Sequence, residues 1–127
     1  MAAGVAGLSQ VFTPAEAERL NQAGDTFRER LNAVAAQHDT PLQMTGVGSI
    51  VCLHFQNDPI EKAADVVTPN DLRALFHLHM LDHGLYLGRR GFMSLSIPLV
   101  EADYDRFVAA FEGFTVTYHS ILKSLVA

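Results

Sequence analysis

Ser49-Ile50-Val51-Cys52-Leu53-His54-Phe55-Gln56 is the stretch on which the fold turns. Side chains alternate along a strand, so Val51, Leu53 and Phe55 share one face and Ile50, Cys52 and His54 the other. Both faces are fairly apolar, which predicts a central strand with neighbours on both edges. Ahead of it, Leu42 to Thr45 reads as a short strand before the turn Gly46-Val47-Gly48. Beyond it, Leu85 to Gly88 and Phe92 to Ile97 read as two strands of a hairpin joined by Arg89-Arg90-Gly91.

Three amphipathic helices surround these strands. The first opens at Thr13-Pro14-Ala15-Glu16, with Thr13 as cap, Pro14 in the first turn and Glu16 placed to close a capping box. Leu20, Ala23, Phe27, Leu31 and Val34 then recur at helical spacing. The second opens at Thr68-Pro69-Asn70-Asp71, carries Leu72, Leu75, Phe76, His79 and His83 on one face, and stops at Gly84. The third runs from about Ala102 to Leu122, with Tyr104, Phe107, Val108, Phe111, Phe114, Tyr118 and Ile121 as its stripe. Ala2 to Gln10 forms a further helical segment whose apolar side has nothing local to pack on. Asn57 to Val67 is the one long polar connection. Helix, strands, helix, strands, helix predicts an α+β two-layer sandwich: a small antiparallel sheet with helices on one face.

Composition bounds the function. The 127 residues suit one domain, 49% of them are hydrophobic, and only 18% are charged, against about 25% in typical domains. So lean a charge content hints at surface meant to be covered. The net charge is −5, and the longest basic run is Arg89-Arg90, so nucleic-acid binding has no electrostatic footing. No apolar run approaches the roughly 18 residues of a membrane span. The apolar start, Met1 to Leu8, lacks the cationic flank of a signal peptide. One cysteine, Cys52, suits a reducing, cytoplasmic setting, and its apolar surroundings predict a buried, inert thiol.

Few residues carry a chemical signature. His79 and His83 stand four apart on one helix face and could share a metal with His54 as third ligand, but no HExxH or CxxC accompanies them and packing explains them better. Asp103, Asp105 and Glu112 lie on a solvated helix face and make poor acid–base candidates. Gly88-Arg89-Arg90-Gly91 is the most informative site. A guanidinium fork there could grip a carboxylate, or the pair could simply decorate a solvated turn, and both readings stay open. Gly46-Val47-Gly48 reads as a turn and not as a phosphate cradle.

An ordered set of segments then carries a resemblance: Ala2-Ala3-Gly4, Val11-Phe12-Thr13-Pro14, Arg19-Leu20-Asn21, Thr45-Gly46-Val47-Gly48-Ser49, Cys52-Leu53-His54-Phe55, Leu81-Asp82-His83-Gly84-Leu85-Tyr86-Leu87 and Arg89-Arg90-Gly91-Phe92-Met93-Ser94-Leu95-Ser96-Ile97-Pro98-Leu99. Across essentially the whole chain this resembles the C-terminal portion of class III pyridoxal-phosphate aminotransferases, in the branch of glutamate-1-semialdehyde aminomutases and β-amino-acid aminotransferases. The resemblance implies the small domain of fold type I pyridoxal-phosphate enzymes, packed on a large cofactor-binding domain, commonly within a homodimer. Residues 1–12 would then lead in from that large domain.

The resemblance also implies that the Schiff-base lysine and the other cofactor-holding segments lie ahead of this stretch. Only Lys62 and Lys123 are present, in the polar connection and near the C-terminus, where neither promises the desolvated pocket such a lysine needs. The chain alone is therefore expected to bind no cofactor and to catalyse nothing, with pyridoxal phosphate belonging to the full-length parent. Many family members carry a substrate-carboxylate arginine near the position of Ser94, which this chain lacks. The Arg-Arg-Gly-Phe-Met pattern resembles β-amino-acid aminotransferases instead, which transfers that role to Arg89 or Arg90. Two other readings stand beside this one: a self-associating interaction or ligand-binding module, with Ala2 to Val11 as the contact, and a His-based metal protein.

Overall fold

The computed structural model describes residues 1–67 and 69–125. Helix α1 (Ala2–Ala6) widens into a π turn over Gly7–Val11, closed by Phe12 N–H donating to Gly7 O at 2.8 Å. Helix α2 (Pro14–Gln37) starts where expected, because Thr13 Oγ1 accepts from the Glu16 amide at 3.3 Å. The Glu16 carboxylate does not complete a capping box; it takes the Arg19 guanidinium instead, with contacts of 2.5 to 3.0 Å. Leu20, Gly24, Phe27, Leu31 and Ala35 form the buried stripe of α2, at helical intervals.

The strands β1 (Gln43–Val47), β2 (Ile50–His54) and β3 (Phe92–Ser94) make one antiparallel sheet in the order β1-β2-β3. The central position expected for 49–56 is thus met. Met44, Val51, Leu53 and Met93 point into the core, and Leu53 and Val51 are fully buried. Val47 pairs with Ile50 and Cys52 with Phe92, all on the opposite face of the sheet. Val47 is 84% exposed, Phe92 52% and Ile50 48%.

The sequence expectation fails over 85–88. That segment forms no strand, so Arg89-Arg90-Gly91 joins no hairpin. The reason is a competing partner: His77 Nδ1 donates to Leu87 O at 2.8 Å, tying the segment to the preceding helix and not to a sheet edge. β3 is also shorter than the 92–97 expected, although Leu95 N–H still reaches Ser49 O at 2.9 Å.

Helix α3 (Asn70–Asp82) follows Pro69, while the expected cap Thr68 lies outside the described residues. It ends as its sequence predicts. Gly84 adopts φ +71°, its amide donates to Leu81 O at 2.9 Å, and the Leu85 amide donates to Met80 O at 2.8 Å, a Schellman closure. Arg106 adds donors to the carbonyls of His83 and Gly84 at 2.9 and 3.1 Å. The single third helix read from sequence is two: α4 (Glu101–Thr117) and α5 (His119–Leu125), broken at Tyr118 (φ −107°, ψ 17°).

α2, α3 and α4 meet over the inner face of the sheet. Phe76 stacks edge-on to Phe114 at 5.0 Å and to Phe111 at 6.1 Å, and Phe55 reaches Phe76 at 6.4 Å. Each ring is essentially fully buried, and burial of one such side chain contributes about 1.5–3 kcal/mol. No described helix is long and apolar enough to cross a membrane.

Candidate functional site

The arginine turn is pinned to the central strand by its own backbone. The Gly91 amide donates to Gly88 O at 3.0 Å, closing the turn, and Leu53 N–H donates to Gly91 O at 2.9 Å. Gly91 has φ +77°, and a Cβ there would stand 3.0 Å from Leu53 O, so glycine is required by conformation and by space. Arg89 and Arg90 occupy the corner of this turn and are exposed. The first turn of α3 faces them, so that Asn70, Arg73, Arg89 and Arg90 line one open cavity of about 390 Å³.

This cavity is electrostatically unusual. Arg19 pairs with Glu16, Arg28 with Asp25, and Arg30 with Glu101 and Asp105. Among the described residues Arg73, Arg89 and Arg90 form no ion pair. Arg73 also carries a buried Nε with no hydrogen-bond partner. Its charge reaches β2. Burial lowers the His54 pKa and raises that of Cys52, and the nearby Arg73 guanidinium pulls both down. Cys52 is half-buried, not fully buried as expected, and that burial raises its thiol pKa. Three guanidinium forks around one cavity can bind carboxylates by paired, charge-assisted hydrogen bonds.

Sequence reasoning singled out Arg89 and Arg90 but missed Arg73. An arginine on a helix carries no local signature that would have marked it.

The histidines do not assemble. His79 Nε2 donates to Ala110 O at 3.0 Å, and His83 Nδ1 donates to His79 O at 2.8 Å. Their rings stack at 4.3 Å. His54 belongs to the sheet, where its Nε2 bonds Thr45 Oγ1 at 2.8 Å. No three His, Cys, Asp or Glu side chains among the described residues are placed to hold one ion. The helix carboxylates are likewise engaged: Asp103 accepts from the Val100 amide, Asp105 pairs with Arg30 and Glu112 with His38. Ser94 sits exposed on β3.

The two lysines do not fit pyridoxal phosphate. The Lys62 side chain is 75% exposed and 4.0 Å from Asp65, and Lys123 is ion-paired to Asp39 at the surface. Neither lies in a water-excluded pocket of the kind a Schiff-base lysine needs. Neither lysine offers the cofactor an attachment point.

A 40% identical relative, the β-phenylalanine transaminase of Variovorax paradoxus, aligns over 123 residues, 96% of this chain and 28% of its own length. The likeness is to the C-terminal small domain of class III pyridoxal-phosphate aminotransferases. An uncharacterized aminotransferase of Schizosaccharomyces pombe is 32% identical over 97% of this chain and 28% of its own. A glutamate-1-semialdehyde 2,1-aminomutase of Anaeromyxobacter dehalogenans is 36% identical over 87% of this chain and 26% of its own. No family model matches. Among solved structures, the Variovorax paradoxus β-phenylalanine aminotransferase superposes with a TM-score of 0.91 at 39% identity, covering 94% of this chain and 28% of that one. An omega-transaminase from Sphaerobacter thermophilus gives 0.72 at 29% identity, covering 80% and 24%. The chain thus spans about a quarter of the length of the aminotransferases it matches.

Proposed function

We propose that this chain is the substrate-side wall of a pyridoxal-phosphate aminotransferase. The parent would move an amino group between an amino acid and a keto acid, and the cofactor would supply the electron sink from outside this chain. Arg89 and Arg90 would hold the substrate carboxylate. The observation that carries this reading is their position: two arginines without acid partners, held on a turn bonded to the central strand, in an open cavity. A site on such a scaffold can fix a carboxylate's direction, which a flexible surface pair cannot.

The uncovered surfaces support a larger partner domain. Val47, Ile50 and Phe92 lie bare on one sheet face, and Val5, Leu8, Val11 and Phe12 are exposed in and after α1. Contiguous apolar surface of this kind marks an interface. The missing three-quarters of the relatives' length would cover it, reached through residues 1–12.

The test is a transplant. Residues 1–127 replace the matching segment of the Variovorax paradoxus β-phenylalanine transaminase, and turnover of β-phenylalanine is measured. An active chimera is expected. Loss of a charge-assisted hydrogen bond costs about 1.5–3 kcal/mol, so Arg89→Gln or Arg90→Gln, whichever faces substrate, should lower kcat/KM by roughly 10- to 150-fold. The isolated chain with added cofactor should turn over no faster than free cofactor. A chimera indifferent to both substitutions, or an isolated chain with transaminase activity, would overturn the proposal.

A further inference from the structure

Past Gly84 the chain turns back along α3. Tyr86 lies edge-on to the His77 ring at 6.1 Å, and His77 Nδ1 donates to Leu87 O at 2.8 Å. Arg89 and Arg90 then share a cavity with Arg73 and Asn70, one and two turns nearer the start of the helix. Little else fixes this stretch. Leu87 is the one buried side chain over residues 86–90. Apart from the turn's own Gly91 amide, the only hydrogen bond to residues 86–90 among the described residues comes from His77. Downstream, the Leu53 amide holds Gly91 O at 2.9 Å. One end of the arginine turn is thus set by the sheet, and the other by a single imidazole.

We propose that His77 is a positioning residue for the carboxylate site: through the Leu87 carbonyl it orders the turn that presents Arg89 and Arg90. A turn fixed at Gly91 alone would have to be ordered when a ligand arrives, and that ordering weakens binding. A carbonyl only accepts, so the bond requires the His77 proton on Nδ1. The inference rests on the reading that Arg89 or Arg90 binds a carboxylate, and it adds the residue that holds them in place.

The test uses the chain as it is, labelled with nitrogen-15 for NMR, and butyrate as the monocarboxylate probe. In the wild type the neutral His77 ring should carry its proton on Nδ1, and amide relaxation should show residues 86–90 as ordered as β2. His77→Phe keeps a ring beside Tyr86 and removes the donor. It should loosen residues 86–90 and weaken butyrate roughly two- to tenfold, the worth of one hydrogen bond. His77→Asn returns an N–H donor near the place of Nδ1 and should restore most of both.

A His77 ring protonated on Nε2 in the wild type overturns the proposal, and this reading stands even if a variant fails to fold. So does a His77→Phe chain that keeps the wild-type turn order and butyrate affinity; a lower urea midpoint with both unchanged would mark a merely structural residue. His77→Asn no better than His77→Phe also counts against it. Failure of the underlying reading looks different: butyrate then binds as well to Arg89→Gln/Arg90→Gln as to the wild type, or to neither, while His77→Phe still loosens the turn.

Discussion

Alanine in place of glycine should have opposite effects in two helix interiors of this chain. Gly24 in α2 and Gly113 in α4 both lie mid-helix, where glycine costs about 1 kcal/mol relative to alanine. At Gly113 a Cβ would meet His79 Nε2 at 3.8 Å, an ordinary contact, so Gly113→Ala should stabilise by up to about 1 kcal/mol. At Gly24 the new Cβ would lie 2.0 Å from Gly48 O and 2.9 Å from Ser49 Cα, both backbone atoms. The helix and the β1–β2 turn must separate by more than an ångström. Two bonds from α2 hold that turn: Asp25 Oδ1 accepts from the Gly48 amide and Asn21 Oδ1 from the Ser49 amide, each at 3.1 Å. Losing them costs about 2 kcal/mol for the carboxylate and about 1 kcal/mol for the amide. Set against the propensity gain, Gly24→Ala should destabilise by about 2 kcal/mol. Urea unfolding reads both variants: the midpoint should rise for Gly113→Ala and fall for Gly24→Ala, with unchanged slope. A Gly24→Ala chain as stable as wild type would refute the close approach of α2 to the turn.

Phe114 is fully buried against Phe76, His79 and Tyr118, so Phe114→Ala should cost about 3–5 kcal/mol in calorimetric unfolding. Thr13→Ala removes the side-chain cap of α2 and should cost about 1 kcal/mol, measured the same way. Burial is the first cause lowering the pKa of both His54 and His79 below the ordinary value of 6.5, so the fold favours their neutral forms. The unfolded chain takes up those protons first as pH falls. Stability should therefore be flat above about pH 6.5 and decline as pH drops from there towards the folded-state values, with Tm following. NMR titration should show both rings protonating below the ordinary histidine value of 6.5; ordinary titration of both would contradict their burial.

The parts of the fold that were legible in the sequence are those fixed by local rules. The alternation through Val51, Leu53 and Phe55 gave a central strand because one face had to be buried whatever its neighbours were. Thr13 and Gly84 gave helix ends because caps act within a few residues. What stayed hidden depended on partners remote in sequence. Leu85 to Gly88 has the composition of a strand, yet a His77 side chain took its carbonyl. The break at Tyr118 carries no glycine or proline, and the apolar stripe runs straight across it.

The arginine site divides along the same line. Arg89 and Arg90 stood out because glycines bracket them, a local signature. Arg73 has none, since an arginine on a helix looks like any solvated residue until the turn brings two more beside it. A folded chain lowers its energy by pairing or separating like charges, as Arg19, Arg28 and Arg30 do with their carboxylates. Here three guanidinium groups line one cavity with no acid partner among the described residues, and Gly91, which adopts its left-handed conformation at no steric cost, lets the turn carry Arg89 and Arg90 there. Unpaired like charges beside the exposed Phe92 and Ile50 suit a surface that another body covers.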